Sequence, residues 1–290
     1  MIIKVIESMM RKRSTKIWER RCIRFLFEIS GYKPTGGYPG FLMKGVNFLW
    51  DLKQIDDFSL NYLNGEWICH IEGLEFVLNS TEELLILSEV FIKGVYNVDF
   101  NHPFVFIDIG MNVGITSLFF AKKDGCKKVV AFEPFQPTLA FAKKNLEKNC
   151  KIAQKIHVNE IGLGYPARTI KIDYSEEFKG CMGVNGVGSH IVVERKDLRE
   201  EQIRVMDVFE ALNDIVDEKM ILKIDCEGSE YEILDRLNDT GLLSRFDIIM
   251  IEWHFKGPAS LRKILIDNNF KILSMEERNR IAGMLYAFKK

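Results

Sequence analysis

The stretch that most constrains this sequence is residues 104–114, which read Phe-Val-Phe-Ile-Asp-Ile-Gly-Met-Asn-Val-Gly. A short apolar run without alternation is typical of a strand buried on both faces of a parallel sheet. Gly110 and Gly114 permit backbone angles that let the main chain approach a ligand. A helix starting near Ile115 would point free N–H groups at that ligand. The stretch predicts a strand, a turn and a helix that cradle a small molecule, although a purely structural turn has the same outline.

The order of residues in this turn favours one class of ligand. A dinucleotide-binding turn reads Gly-x-Gly-x-x-Gly and holds a pyrophosphate at the helix N-terminus. Here Asp108 comes first, and Gly110, Asn112 and Gly114 follow at alternate positions. A carboxylate repels a diphosphate and attracts a cation. S-adenosylmethionine carries both an ammonium and a sulfonium, so this cofactor fits the spacing better than a dinucleotide.

The segments after residue 104 alternate between apolar runs and amphipathic stretches, which predicts parallel strands joined by helices. Strands are expected at residues 104–109, 128–133, 156–160, 220–225 and 246–252, and a closing hairpin at 270–274 and 284–289. Helices are expected at residues 115–123, 137–149, 229–237 and 258–268, and a short helix that begins near Asp207 within residues 205–212. Residues 164–202 are less regular, and their glycine-rich part, 180–188, suits a surface loop or a mobile lid.

The N-terminal part of the chain has a different pattern. Basic residues interleave with apolar residues at helical spacing in residues 4–30, which predicts one or two amphipathic helices. Such helices can pack on a domain or lie on an anionic membrane. Prolines and glycines in residues 31–45 predict a loop, and residues 67–78 a β-hairpin with its turn near Glu72-Gly73. Ser80 and Glu83 form a capping-box pattern at the start of the next helix.

Composition limits the classes of partner and compartment. The net charge of −1 offers no general attraction to nucleic acid. The six cysteines have neither paired nor zinc-finger spacing, which suits free thiols in a reducing compartment. The sequence has no apolar run long enough to span a membrane and no secretory signal pattern. We therefore expect a cytoplasmic protein.

Acidic residues end several of the predicted strands. Glu133 ends the second strand, 19 residues after Gly114, where an acid can accept both ribose hydroxyls of an adenosine. A nicotinamide cofactor would use such an acid in the same way. Asp225 and Glu227 follow the strand at 220–225 and would lie over the ligand crevice. Alternatively, they cap the next helix and stabilise its dipole.

A later strand places Glu252 and His254 at the same edge of the sheet. A histidine with an ordinary pKa can remove a proton near neutrality. A lone histidine is more often structural, but its arrival beside Asp225 and Glu252 would favour a role in chemistry.

Four motifs in this order resemble the FkbM-type S-adenosylmethionine-dependent methyltransferases. They are Asp-Ile-Gly-Met-Asn-Val-Gly at 108–114, Ala-Phe-Glu-Pro at 131–134, Leu-Lys-Ile-Asp-Cys-Glu-Gly-Ser-Glu-Tyr at 222–231 and Ile-Glu-Trp-His at 251–254. The resemblance runs from about residue 82 to the C-terminus. It implies an α/β class I methyltransferase fold: a Rossmann-like, seven-stranded, mostly parallel sheet with a C-terminal antiparallel hairpin, preceded here by a helical and hairpin extension.

The resemblance also implies roles for individual residues. Asp108, Gly110, Asn112 and Gly114 would line the methionine part of the cofactor and Glu133 its ribose. The adenine would contact Asn159, Glu160 and Ile161. Asp225, which would also contact the cofactor, and Glu227 match the acidic signature of the family, and Glu252 and His254 match its late strand. Gly162 stands where the family often has alanine and Trp253 where it usually has a smaller residue, so the local pocket shape differs.

The domain organisation implied is a basic helical extension at residues 1–60, a hairpin and helix lead-in at 61–100, and an S-adenosylmethionine-dependent methyltransferase domain at 101–290. The expected reaction is O-methylation of a hydroxyl on a sugar, glycan or secondary metabolite. His254 or Asp225 would be the base, or the acids would hold a divalent cation that acidifies the hydroxyl. The metal, the acceptor's identity and the oligomeric state stay open. The alternatives are an NAD-dependent oxidoreductase on the same type of sheet and a non-catalytic S-adenosylmethionine-binding scaffold.

Overall fold

A computed structural model describes residues 15–175, 179, 182–183, 186–187, 198–217, 219–276 and 282–290 of the chain. The chain divides into two units, Met1–Val95 and Tyr96–Lys290. Among the helices that the structure describes, none combines the length and apolar character needed to span a membrane.

The first unit combines short helices with a small antiparallel sheet. Its elements are α1 (Thr15–Ser30), α2 (Gly40–Lys44), α3 (Val46–Leu52), β1 (Ser59–Leu63), β2 (Glu66–Ile71), β3 (Leu74–Leu78), α4 (Thr81–Leu87) and a π-helical turn (Ser88–Ile92). The three strands pair in the order β1-β2-β3. Helix α4 starts with the predicted capping box, because Ser80 accepts from the Glu83 N–H and Glu83 accepts from the Ser80 N–H.

Two predictions for this unit need correction. The expected loop at residues 31–45 ends in a helix, since residues 40–44 form α2. The expected hairpin at 67–78 has a third strand, β1, along its edge. The predicted turn at Glu72-Gly73 is confirmed, with positive φ angles of 49° and 74°. Part of the predicted basic helix, residues 4–14, lies outside the described residues.

The second unit contains a seven-stranded sheet, a three-stranded sheet and a two-stranded sheet. Its strands are β4 (Phe104–Ile109), β5 (Cys126–Phe132), β6 (Ile156–Asn159), β7 (Gly162–Gly164), β8 (Arg168–Tyr174), β9 (Met182–Gly183), β10 (Gly186–Val187), β11 (Arg199–Asp207), β12 (Met220–Ile224), β13 (Ile248–His254), β14 (Phe270–Glu276) and β15 (Ala282–Lys289). Its helices are α5 (Ile115–Lys122), α6 (Gln136–Lys148), α7 (Cys150–Ala153), α8 (Val208–Leu212), α9 (Glu230–Asp239), a 3-10 turn (Leu242–Arg245) and α10 (Ala259–Asp267).

The order of the large sheet is β14-β15-β13-β12-β4-β5-β6. All pairs from β13 to β6 are parallel, and β15 runs antiparallel to both of its neighbours. The predicted class I methyltransferase fold, with its mostly parallel sheet and C-terminal hairpin, is confirmed.

Helices cover both faces of this sheet. Successive side chains of β4 point to opposite faces, so its apolar residues pack against helices on each side. Val105, Ile107 and Ile109 join the core that packs against α8, α9 and α10. On the other face, the ring of Phe106 stacks on Phe120 of α5 at a centroid distance of 3.8 Å. A strand buried on both sides explains why the sequence shows a continuous apolar run here.

A smaller sheet occupies the region predicted to be irregular. Strand β11 pairs antiparallel with β8 and parallel with β7. Ile172, Tyr174, Ile203 and Val205 form its buried side. The short helix expected to begin near Asp207 is confirmed, since Asp207 caps a helix that begins at Val208, and residues 205–207 belong to β11. Most of the glycine-rich part, 180–188, lies outside the described residues.

Candidate functional site

Strands β4 and β12 are adjacent and parallel, so their carboxyl ends lie side by side. The strands β5 and β6, which follow β4 in the chain, lie on one side of it, whereas β12 and β13 lie on the other side. Such a switch point is where open α/β sheets bind ligands. Gly110 has a φ of 83°, and a Cβ there would lie 1.7 Å from the backbone oxygen of Asp225. Only glycine fits this position. Gly114 also has a positive φ, 84°, directly before α5.

A cleft opens beyond the ends of β4, β5 and β12. Five of the residues predicted from the sequence line it: Gly110, Asn112, Glu133, Asp225 and Glu227. Its other lining residues are Ile109, Phe132, Pro134, Phe135, Gly162, Leu163, Lys179, Met182, Gly183, Ile203, Val205, Cys226 and Ser229. The cleft thus has an acidic side at the strand ends and an apolar side formed largely by the smaller sheet.

Glu133 is a nearly buried acid in the wall of the cleft. Its two carboxylate oxygens accept hydrogen bonds from the N–H groups of Asn112 at 2.9 Å and Phe135 at 3.0 Å. Burial raises the pKa of Glu133 to about 7, although the two N–H donors lower it. Each oxygen keeps a further lone pair, so the carboxylate can accept two more donors from a ligand.

Some buried polar atoms of the lining lack a hydrogen-bond partner among the residues that the structure describes. They include Oδ1 of Asn112 and Oγ of Ser229. Buried polar atoms in native proteins are almost always paired, so such atoms in a cleft call for a polar ligand or water.

Asp108 is fully buried behind the cleft and does not line it. Its carboxylate accepts from the Ser117 hydroxyl at 2.6 Å and from the Lys223 ammonium at 3.0 Å. Lys223 also donates to the carbonyl of Gly110 at 2.7 Å and lies 3.6 Å from Asp225. Burial opposes the charge of Lys223, but Asp108 and Asp225 outweigh it and raise its pKa above the usual value. This ion pair fixes the turn after β4.

Asp225 and Glu252 meet at the hydroxyl of Tyr96. The phenolic oxygen lies 3.1 Å from Oδ2 of Asp225 and 3.3 Å from Oε2 of Glu252. One hydroxyl hydrogen cannot bond fully to both acids, so the two carboxylates share it. Both acids are partly open to solvent, with side chains 27% and 32% exposed.

His254 is buried among three carboxylates. Its Nδ1 lies 2.9 Å from Glu230, and its Nε2 lies 3.5 Å from Glu227 and 3.8 Å from Glu252. Burial alone would lower the pKa of His254, but the hydrogen bond to Glu230 and the charges of Glu227 and Glu252 raise it to about 10. His254 therefore differs from the expected histidine that titrates near neutrality, because the surrounding carboxylates favour its protonated form.

Glu230 also shapes the turn that presents Asp225 and Glu227. It accepts from the N–H groups of Cys226 at 3.2 Å and Gly228 at 2.9 Å while it bonds to His254. Its side chain is fully buried. The turn is thereby fixed to the end of β13.

The three residues predicted to contact adenine lie outside the lining of the cleft. Asn159 donates its side-chain amide to the carbonyl of Ala131 at 3.2 Å. The exposed carboxylate of Glu160 bonds to Gln136 and Lys143. Ile161 packs against the core of the large sheet. Gly162 and Leu163, which follow directly, do line the cleft.

Sequence reasoning gave no role to Lys223 or Tyr96. A lysine inside an otherwise apolar strand was the available signal, since a charge in a buried strand requires a partner. Tyr96 offers no local signal, because it meets acids more than 100 positions away in the sequence. Among the described residues, no group of His, Cys, Asp and Glu has an arrangement suited to a metal ion.

Comparison with known proteins identifies relatives of this chain. Residues 108–272 match the family described as "Methyltransferase FkbM domain", which is more than half of the chain. Methyltransferase sdnD of Sordaria araneosa is 24% identical over 230 residues, which cover 68% of this chain and 85% of that protein. Methyltransferase 1 of Beauveria bassiana is 23% identical over 205 residues, which cover 66% and 82%.

Other similarities are partial. The AMB antimetabolite synthetase AmbE of Pseudomonas aeruginosa is 25% identical over 217 residues, which are 63% of this chain but 10% of that protein. The crystal structure of Methyltransferase FkbM from Methylobacillus flagellatus KT is 18% identical with a TM-score of 0.46. The match covers 69% of this chain and 47% of that chain, so this chain spans about half its length.

Proposed function

Because the chain belongs to the FkbM methyltransferase family, we propose that it transfers a methyl group from S-adenosylmethionine to a hydroxyl oxygen of a small molecule or glycan. The methyltransferase activity follows from the family, whereas the cofactor and the oxygen acceptor are our proposal. The observation that carries it is the cleft at the switch point, which has carboxylates on one side and apolar residues on the other.

The cleft residues fit the chemistry of S-adenosylmethionine. Gly110 lets the turn after β4 pack closely against the backbone of Asp225, and Oδ1 of Asn112 is a buried acceptor that an ammonium can satisfy. Glu133 has acceptor capacity left for two ribose hydroxyls. Leu163 and Val205 belong to the apolar side, which suits a purine. When bound, this cofactor supplies a methyl group on a positively charged sulfur.

The acceptor hydroxyl has to be oriented and to lose its proton. Asp225 lines the cleft and shares the Tyr96 hydroxyl with Glu252, so we propose that this pair of acids holds the hydroxyl and takes its proton. A protonated His254 cannot accept a proton, so we propose that it instead keeps Glu227 and Glu252 in position. Orientation of the two reactants can contribute up to about 7–11 kcal/mol.

The two alternatives make different binding predictions. An oxidoreductase would bind NAD, but the diphosphate would meet the carboxylates of Asp225 and Glu227. A non-catalytic scaffold would bind S-adenosylmethionine without transferring its methyl group. Calorimetry with S-adenosylmethionine, its demethylated product and NAD separates the first alternative. We expect binding of the two sulfur nucleosides and none of NAD.

Variants separate the second alternative and test the assigned residues. Glu133→Gln should weaken cofactor binding at least tenfold, since a charged acceptor of hydrogen bonds is lost. Glu147→Gln, on the exposed side of α6, is the matched control and should bind normally. Asp225→Asn should abolish transfer of a labelled methyl group to a panel of hydroxylated acceptors while cofactor binding largely survives. Tight binding of NAD, or a Glu133→Gln variant with unchanged affinity, contradicts the proposal.

A further inference from the structure

One face of helix α1 is both basic and apolar. Ile17 and Phe27 are 63% and 50% exposed, at either end of this face. Arg20, Arg21 and Arg24 are exposed between them. These positions follow Ile17 at intervals of three, four, seven and ten residues, which places them on the same side of an α-helix. The two apolar ends are about 15 Å apart along the helix axis.

Trp50 of α3 extends this face beyond α1. It is 57% exposed, and its ring lies 5.1 Å from that of Phe25. Together with Ile17 and Arg21 it lines a groove in the surface of the first unit. We call Ile17, Arg20, Arg21, Arg24, Phe27 and Trp50 the α1 patch.

The charge of this region differs from that of the rest of the chain. Residues 1–30 contain eight Lys and Arg against three Glu, a surplus of five positive charges in a chain with a net charge of −1. The acid nearest the patch on α1, Glu28, is paired with Lys53 at 2.5 Å. Within α1 itself, Lys16, Arg20, Arg21 and Arg24 outnumber Glu19 and Glu28, so this helix carries a net positive charge.

We propose that the α1 patch attaches the protein to the surface of an anionic lipid bilayer. Tryptophan and aliphatic residues favour the boundary between headgroups and acyl chains, and arginine keeps its charge at the phosphates while its stem lies in the apolar layer. A second copy of the chain is a poorer partner. A symmetric contact would bring the arginines of one patch against those of the other, since both subunits use the same surface.

Co-sedimentation of the full chain with lipid vesicles tests this attachment. We expect binding to vesicles of phosphatidylcholine mixed with phosphatidylglycerol and little binding to phosphatidylcholine alone. Because charges on a surface are screened by salt, binding should fall when the ionic strength rises from about 0.1 M to about 1 M. Arg24→Ala should lower the partition coefficient about fivefold, and Ile17→Ser about tenfold.

Matched controls come from α10 in the second unit, which exposes Arg262 and Ile266. Arg262→Ala and Ile266→Ser should leave vesicle binding unchanged. Circular dichroism and thermal melting should show that all four variants fold as the parent does, which is expected because the substituted side chains are exposed.

Several results would overturn this attachment. They are no binding to anionic vesicles, equal binding to neutral ones, or a loss of binding in the α10 variants equal to that in the α1 variants. A parent chain that sediments as a dimer and becomes monomeric in Ile17→Ser, without binding vesicles, would assign the patch to self-association instead. None of these measurements depends on the cofactor or the methyl acceptor.

Discussion

Replacing His254 by glutamine tests whether its imidazole is held as a cation between carboxylates. The ring bonds to Glu230 at 2.9 Å and lies within 4 Å of Glu227 and Glu252. Glutamine keeps a hydrogen-bond donor of similar size but carries no charge. The comparison therefore isolates the contribution of the positive charge to the free energy of unfolding.

The sign of the pH dependence follows from the pKa values. The pKa of His254 rises from 6.5 to about 10 on folding. Below pH 6.5 both the folded and the unfolded chain hold the proton, and the stabilisation is fully present. As the pH rises towards 10, only the folded chain keeps the proton, and the stabilisation is lost at about 1.4 kcal/mol per pH unit. The whole contribution is about 5 kcal/mol, for a pKa that rises by about 3.5 units.

Two measurements check this expectation. Urea unfolding at a series of pH values should show that the difference in stability between the parent and His254→Gln shrinks as the pH rises above 6.5. NMR of the histidine rings should show one imidazole, absent from the variant, that stays protonated at pH 8. A ring that titrates near 6.5, or a stability difference independent of pH, would refute the assignment of a fixed charge and restore His254 as a base.

Three further predictions follow from the site. Lys223→Met should lower the free energy of unfolding by about 3–5 kcal/mol, because it leaves the buried carboxylate of Asp108 without its cation. The control Lys219→Met removes a partly exposed ion pair near the same strand and should cost about 1 kcal/mol or less. Equal losses of stability in urea unfolding would contradict this prediction. Gly241→Ala should cost roughly 1–2 kcal/mol of backbone strain, because Gly241 has a positive φ but open space around its Cβ position. Gly110→Ala should destabilise the chain by more than that, because its new Cβ would also collide with the backbone oxygen of Asp225. Equal losses of stability in the two variants would contradict the close packing of Gly110 against Asp225. Burial raises the pKa of Glu133 to about 7, so its carboxylate is mostly charged at pH 8 and mostly neutral at pH 6. Calorimetry should therefore show that S-adenosylmethionine binds about tenfold tighter at pH 8 than at pH 6. The same pH dependence in Glu133→Gln would show that ionisation of Glu133 does not control cofactor binding.

The large sheet could be predicted because its signals are local. The two central strands are short, largely apolar runs that contain or precede an acid, and the strands predicted at residues 104–109 and 220–225 agree with β4 and β12 to within one residue. The alternating helices then fix the topology, since crossovers between parallel strands have one hand. The position of the cleft follows from the same rule, because ligands bind beyond the carboxyl ends of such strands.

The smaller sheet was missed because its pattern is weak. Strand β8 alternates Ile170, Ile172 and Tyr174 with polar residues, which is the signal of a half-buried strand, but its partner β11 starts with four charged or polar residues. Only the pairing of the two strands, 25 or more positions apart, buries Ile203 and Val205. The protonation of His254 was missed for a related reason. Its partner Glu230 comes from another part of the chain, and no local pattern reveals how many acids surround a ring.

The structure also changes the reason for expecting a cationic cofactor. In the sequence, Asp108 is the residue that favours a cation. In the structure, the ammonium of Lys223 neutralises this carboxylate, so the pair has little electrostatic effect in the cleft. The negative charge that faces the cleft comes instead from Asp225 and Glu227 at the end of β12. Asp108 instead has a structural role. It holds the ammonium of Lys223, which donates to the carbonyl of Gly110 and so fixes the conformation of the turn. The preference for a cation over a diphosphate accordingly depends on the second acidic motif, and the first provides the shape into which either ligand would fit.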